Sequence, residues 1–334
     1  MQTPQVNVGG IWLSSLGPWG ELEIEDRWPG GCYELRCTID PKLSRRHPAV
    51  INEAPVFADV MGPRWAGTLA EYDPETGEIV AQGYYRQGDG APALNSSGAT
   101  TTVPDHAVAK GISAGWLNWI LAGSLSSSPY SAENTAGDAT AQVNATGALL
   151  DEWSASVGKR WGVDELRAAY AAADPTVATH LLVNVPAPPE SRQRAVGTVV
   201  ARWRDAAGAF FTTIRGNAQP VKLVDFTEAG PLTSSKVTAR CDKILAATLG
   251  GSTYGGFTIT RDQIIGRTHL SAVRAGHKVA IVDQASADLS ILGPALVLGA
   301  TVWNADEDTV ACTPVDAPDL DLESIVAAQG GTLE

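Results

Sequence analysis

Sulfur chemistry is scarce in this chain. Its four cysteines, Cys32, Cys37, Cys241 and Cys312, lack the close paired spacing that a zinc ribbon or a redox motif requires. Cys32 and Cys37 fall on one predicted strand, where an odd separation points them to opposite faces, so no disulfide is expected. Basic residues are few as well. With 24 Lys and Arg against 37 Asp and Glu, the formal charge is −13, which sets the chain against phosphate backbones and excludes sequence-specific nucleic-acid binding as an expectation. Residues 1–7 have no basic start followed by an apolar core, so the chain is expected to be made in the cytoplasm. The longest apolar stretch, residues 116–125, is interrupted by Asn118, Gly123 and Ser124 and is shorter than the roughly 20 residues of a spanning helix. No stable membrane insertion is expected.

Catalytic signatures are also missing. No Gly-x-Ser-x-Gly elbow occurs, and the five histidines, His47, His106, His180, His269 and His277, include no pair at the i, i+4 spacing of a helical zinc site. His269 and His277 stand eight apart across a turn at Gly276, and surface or structural roles are the better reading for both. Gly88-Asp89-Gly90 and Gly250-Gly251 lack the Lys-Ser/Thr of a phosphate loop. Paired carboxylates for glycoside hydrolysis are open to Glu53, Asp59, Glu71, Asp225 and Glu228, all near predicted strand ends. No cofactor, metal site or catalytic residue is expected, and the chain reads as a building block rather than an enzyme.

Turns and aromatics are abundant: 34 Gly, 20 Pro and 10 Trp in 334 residues argue for a folded, loop-rich chain of roughly two domains at about 150 residues each. Residues 67–81 and 299–311 have the same form, an apolar strand, an acidic turn and a second apolar strand. Asp, Pro and Gly supply the turn, while Leu, Tyr, Ile, Val and Trp suit the pleated flanks. Between residues 9 and 87 the chain turns every eight to twelve residues, at Gly17-Pro18, Pro29-Gly30-Gly31, Asp40-Pro41, Gly62-Pro63, Asp73-Pro74 and Gly83, a spacing that predicts a sandwich or barrel.

The predicted fold is mainly β (α+β). Two β-barrel or sandwich modules are separated by a helical insert and a helix-plus-sheet segment. The divisions are 1–87, first β-module; 88–147, a Gly/Ala/Ser-rich insertion; 148–190, a helical insert ending in a Pro-rich hinge; 191–256, an α+β segment; 257–315, second β-module; and 316–334, an acidic tail. The helical insert starts from Thr146, runs through Leu149, Leu150, Trp153 and Val157, and is expected to continue over residues 163–170 before Asp174-Pro175 stops it. A second helix over residues 235–249 places Val237, Cys241, Ile244, Leu245 and Thr248 on one face. Trp65, Tyr72 and Trp303 are the candidate core or interface residues, at equivalent places in the two modules. Trp116 and Trp119, three apart, could share a helical face toward a partner. The aromatics of residues 12–85 are open to three readings: core, subunit interface and sugar-stacking surface.

Three segments resemble a known family: Gly9-Gly10-Ile11-Trp12; Trp28-Pro29-Gly30-Gly31-Cys32-Tyr33-Glu34-Leu35; and residues 56–69, from Val56-Phe57-Ala58-Asp59 to Thr68-Leu69. Together with Val224-Asp225-Phe226-Thr227-Glu228-Ala229-Gly230 and the turn Val273-Arg274-Ala275-Gly276-His277, they resemble the minor tail proteins of actinobacterial siphophages. His277 departs from the acid usual in that family. The resemblance, covering about two-thirds of the chain, implies a tail-tip or baseplate hub: a structural virion protein, a homotrimeric ring with two related barrels per subunit, joining tube to tip and taking part in host attachment and genome delivery. It implies partners in the distal tail ring and in tip or fibre proteins. A carbohydrate-binding tail module and a cell-wall glycoside hydrolase are the alternatives.

Overall fold

The computed structural model of the chain describes residues 3–41, 53–129, 145–185, 190–192, 197–219, 221–227, 231–247, 252–266, 269–282 and 292–315. The Pro-rich hinge around residues 186–189 and the acidic tail lie outside them. The chain divides into two compact units, a large one formed from residues 1–130, 142–188 and 256–316, and a small one centred on 189–255.

The large unit is built on β1 (Gln5–Val8), β2 (Ile11–Trp12), β3 (Trp19–Arg27), β4 (Gly30–Ile39), β5 (Pro55–Asp59), β6 (Pro63–Tyr72), β7 (Glu78–Gly83), β8 (Arg160–Val163), β9 (Ala169–Ala172) and β10 (His180–Val183). The small unit contributes β11 (Glu190–Arg192), β12 (Thr198–Arg204), β13 (Phe210–Gly216), β14 (Val221–Asp225) and β15 (Ser252–Tyr254). The chain then returns to the large unit with β16 (Phe257–Thr260), β17 (Lys278–Val282), β18 (Leu292–Asn304) and β19 (Thr309–Pro314). The helices used below are α1 (Pro104–Ser113), α2 (Thr146–Ser156) and α3 (Ser234–Ala247). The mainly β expectation holds.

Both sequence hairpins form, as β6–β7 and β18–β19, and they belong to one sheet. Its main path is β10-β17-β18-β3-β4-β7-β6-β5-β1-β2, with β8, β9, β16 and β19 attached, fourteen strands among the described residues. The β3–β4 hairpin is thus flanked by the early hairpin on one side and the late one on the other. The join is the antiparallel pairing of β18 with β3, which sets Trp303 beside Ile24 across more than 270 residues of chain. Leu35, Ala81, Leu69 and Trp65 continue the buried face. At Gly67 a Cβ would lie 2.4 Å from Trp65 Cη2 and 2.1 Å from the Gln82 carbonyl, so only glycine lets the indole cross there.

Above this sheet, α1, α2 and the segment between residues 84 and 121 close a second core from Tyr84, Ala91, Val108, Leu117, Trp119, Leu150, Trp153 and Trp161. A chain of tilted rings, Tyr33, Tyr85, Trp161 and Trp119, runs through it at centroid spacings of 6.3, 5.0 and 5.7 Å. The low-charge stretch read as an insertion therefore contributes core side chains, among them Ala91, Val108, Leu117 and Trp119.

Three local expectations are corrected. Residues 163–170 form a β-hairpin, β8–β9, rather than a helix. Asp164, an acid of the kind that suits a helix start, accepts hydrogen bonds from the Leu166 and Ala168 amides (2.9 and 2.8 Å), and Arg167 takes φ +66°, so side-chain-to-backbone bonding captures the turn. Cys32 and Cys37 are both buried despite their odd spacing, because a bulge at Tyr33 resets the alternation of β4. All four thiols are free, and burial pushes those of Cys32 and Cys37 up to about 12. Trp116 and Trp119 share no helical face, since α1 stops at Ser113. Trp119 turns inward and its Nε1–H donates to the Tyr84 carbonyl at 2.7 Å, while Trp116 stays exposed.

The small unit is a three-stranded sheet, β13-β12-β14, with α3 on one face, plus the β11–β15 pair. Val199, Ala201 and Trp203 pack against Leu232, Val237 and Cys241, as the spacing of the predicted helix requires.

Candidate functional site

Three places in the chain collect side chains with unusual chemistry or exposure. The first is a buried polar group inside the large unit. On β6, Arg64 is the extra residue of a bulge, since Ala58 faces Trp65 and Asp59 faces Pro63. The bulge buries Arg64 together with Trp65, and the guanidinium donates to Asp26 on β3 through two bonds of 3.1 and 2.5 Å. Nearby, Arg274 donates to Glu165 at 2.6 Å, fastening the Arg-Ala-Gly turn to the β8–β9 hairpin. Gly276 in that turn has φ +84°, and a Cβ there would press on the Trp28 ring at 3.1 Å. Trp28 is held in turn by Asp174, which accepts from its Nε1–H at 2.8 Å.

Beside this turn, His180 on β10 and His277 sit with Nε2 and Nδ1 3.0 Å apart. The Arg274 amide also donates to His277 Nδ1 at 3.3 Å, which leaves that nitrogen as the acceptor and places the proton on His180 Nε2. Burial, then the His180, Arg274 and Arg64 charges, hold His277 down to about 4, and burial lowers His180 too. In the sequence His277 stands nearest to His269, for which surface or structural roles are the better reading. His269 bonds Ser271 at 2.8 Å and meets Trp303 edge-on. The true partner is 97 residues away, and only the parallel pairing of β10 with β17 brings it in.

The second place is an acidic rim where both hairpin tips meet. Glu21, Glu23, Glu78, Asp306 and Glu307, with Arg36, line a cleft of about 620 Å³, and the Asp306 carboxylate accepts from the Glu21 amide at 2.8 Å. Among the described residues no three His, Cys, Asp or Glu side chains converge as a metal ion would need. Of the carboxylates considered for hydrolysis, Asp59 and Asp225 cap turns by accepting from the Gly62 and Thr227 amides, Glu53 and Glu71 are exposed, and Glu228 lies outside the described residues.

The third is the outer face of the small unit's sheet. Register sets Ile214, Val200 and Leu223 abreast across the three strands, with Val221 and Phe210 at the ends of the same face. Phe210, Ile214 and Leu223 are 60%, 63% and 77% exposed. Arg202 lays its guanidinium over the Phe210 ring at 4.9 Å. No described residue covers this row.

The sequence candidates separate accordingly. Trp65 and Trp303 are 1% exposed and belong to the core, Tyr72 is half-buried on β6, Trp119 is core, and Trp116 is surface. Sequence reading missed the Phe210–Leu223 face, although the run Phe210-Phe211-Thr212-Thr213-Ile214 carried an apolar residue on both sides of a strand.

No protein-family model matches the chain, and no curated protein matches its sequence. Its fold is shared with solved structures. The 43 kDa tail protein of prophage MuSo2 from Shewanella oneidensis superposes with a TM-score of 0.59 at 9% identity, covering 94% of this chain and 98% of that one. The tail protein from Neisseria meningitidis MC58 gives 0.57 at 12% identity, covering 94% and 96%. The chain has the fold of these tail proteins over nearly its whole length.

Proposed function

We propose that this chain is a structural subunit of a phage-type tail, acting at the tail tip as a ring-forming hub of three copies between the tube and the tip. The observation that carries the reading is the exposed apolar row of Phe210, Ile214, Val221 and Leu223 on the small unit's sheet, which no described residue covers. Large contiguous apolar surfaces on soluble chains mark places that another protein covers. The fold shared with two tail proteins supports a place in a tail. Each subunit keeps two related β-modules, so that three copies offer six, with the two like hairpins meeting through β3–β4 in one sheet. In this reading the neighbours are further tail proteins, the distal tail ring above and tip or fibre proteins below. Tyr72 and the exposed Trp116 are contact candidates, and Trp65, Trp119 and Trp303 serve as core. The acidic rim suits a surface past which DNA slides without binding, as host attachment and genome delivery require.

The test is the symmetry of the purified chain. Class averages of negatively stained particles should show three-fold rings. Particles of single-chain size, or rings of another order, would overturn the trimeric hub.

A further inference from the structure

A ring of three copies places a condition on the exposed row of the small unit. A surface that meets its own copy makes an isologous contact, and that contact closes at two chains. A cyclic trimer needs two different surfaces on each chain, the first of one copy seated on the second of the next. The row on β13, β12 and β14 therefore requires a partner surface elsewhere on the chain. Its side chains Ile214 and Leu223 stand out from the sheet on either side of Val200. Alternation along β12 sets Arg202 and Arg204, both exposed, on the same face, and Asp225 on β14 lies opposite Arg202.

A groove of about 500 Å³ opens on the large unit between the β2 and β5 edge of the sheet and the β8–β9 turn. Trp12, Phe57 and Leu166, all exposed, line it together with Pro55 and Pro63. Other clefts of the large unit are polar. The rim cleft is lined by carboxylates, and the cleft beside Trp116 by Glu53, Thr68, Arg86 and Gln87. An apolar row seated on either would take those groups out of water without replacing their hydrogen bonds. Charge separates the surfaces in the same way. In the groove Asp59 and Glu165 stand against Arg167 and the Arg274 that pairs with Glu165 at 2.6 Å, which leaves no net charge. On the row Arg202 and Arg204 stand against Asp225, which leaves one positive charge. Two chains of formal charge −13 repel, so copies meet best through surfaces that lack the negative excess.

We infer that the apolar row of one copy seats in this groove of the next copy, with Ile214 and Leu223 against Trp12, Phe57 and Leu166. The pairing rests on the proposed ring of three and names the surface that its exposed row meets. Each copy gives one row and one groove, so the ring closes with neither left uncovered. Aliphatic side chains entering an aromatic-lined hollow, with charged groups around it, have the anatomy of a protein interface: an apolar centre and a polar rim.

The test mixes two full-length variants and follows their mass by light scattering and sedimentation over a concentration series. The row variant is Ile214→Ser, Leu223→Ser, and the groove variant is Trp12→Ser, Leu166→Ser, all at exposed positions. Each variant alone should fall from the three-chain mass to the single-chain mass while still melting cooperatively. An equimolar mixture should recover the two-chain mass, because the row variant keeps a sound groove and the groove variant keeps a sound row. Recovery also requires both variants to be folded, and a row-on-row contact cannot produce it. A groove variant that keeps the three-chain mass, or a mixture that stays at the single-chain mass, would overturn the pairing and leave the ring standing. A wild-type chain of two-chain mass would overturn the pairing in favour of row on row, and one of single-chain mass would overturn the ring and the pairing together.

Discussion

The two units treat their β-sheets in opposite ways. In the large unit a fourteen-stranded sheet is buried along its inner face by Ile24, Leu35, Ala81, Trp65 and Trp303, and helices cover part of its outer side. A charge pair is even sealed inside it, at Arg64 and Asp26. The small unit buries one face of three strands under α3, and no described residue covers the other, Ile214-Val200-Leu223. Its ion pair, Arg215 with Asp242 at 2.8 Å, lies on the surface. A sheet that satisfies both its core and its charges internally serves as a scaffold. A sheet with exposed apolar side chains on one face is the surface on which the proposed contact rests.

Breaking the scaffold should have the largest effect. Trp303→Ala removes a fully buried indole at the join of the two hairpins and is expected to cost about 3–5 kcal/mol in denaturant unfolding. Asp26→Asn strands the Arg64 guanidinium in the interior and should cost a similar amount, about 3–5 kcal/mol. The contrast sharpens in the small unit, where Arg215→Ala breaks an exposed pair and should leave the unfolding midpoint close to that of the wild type in the same experiment.

Between these lies the histidine pair. Both rings are held neutral in the folded chain, below the roughly 6.5 of an unfolded histidine, so the unfolded state binds more protons as pH falls. Stability is therefore full above pH 6.5 and declines down to about pH 4, where His277 titrates in the fold. The total loss is on the order of 3–4 kcal/mol. His277→Gln should flatten the midpoint of urea unfolding across that window. An unchanged slope would show that the pair does not govern it. The depressed carboxylate of Asp225 acts at lower pH, so the two effects separate on the pH axis.

Much of the scaffold was legible because its turns are written locally. Asp73-Pro74 and Gly77, or Asn304 accepting from the Asp306 and Glu307 amides, state a hairpin within a few residues. The same local chemistry misled at Asp164, where an acid suited to a helix start is bound instead to the turn of β8–β9. Pairings across long separations left no local trace. Trp303 with Ile24, His180 with His277 and Arg64 with Asp26 each join segments tens to hundreds of residues apart, and two of the three depend on bulges or parallel pairing that no periodicity announces. The bare face was hidden for a different reason. Alternation reports that a strand has two kinds of face, and on β13 both kinds carry phenylalanine.

The central claim is that the open face of the small unit joins copies of this chain. The most direct measurement is the solution mass of the wild-type chain beside an Ile214→Ser, Leu223→Ser variant, by light scattering across a concentration series. The account predicts a wild-type mass three times that of one chain and a variant that falls to the single-chain mass while melting at the same temperature. A wild-type chain that stays single, or a variant that keeps the wild-type mass, would contradict it.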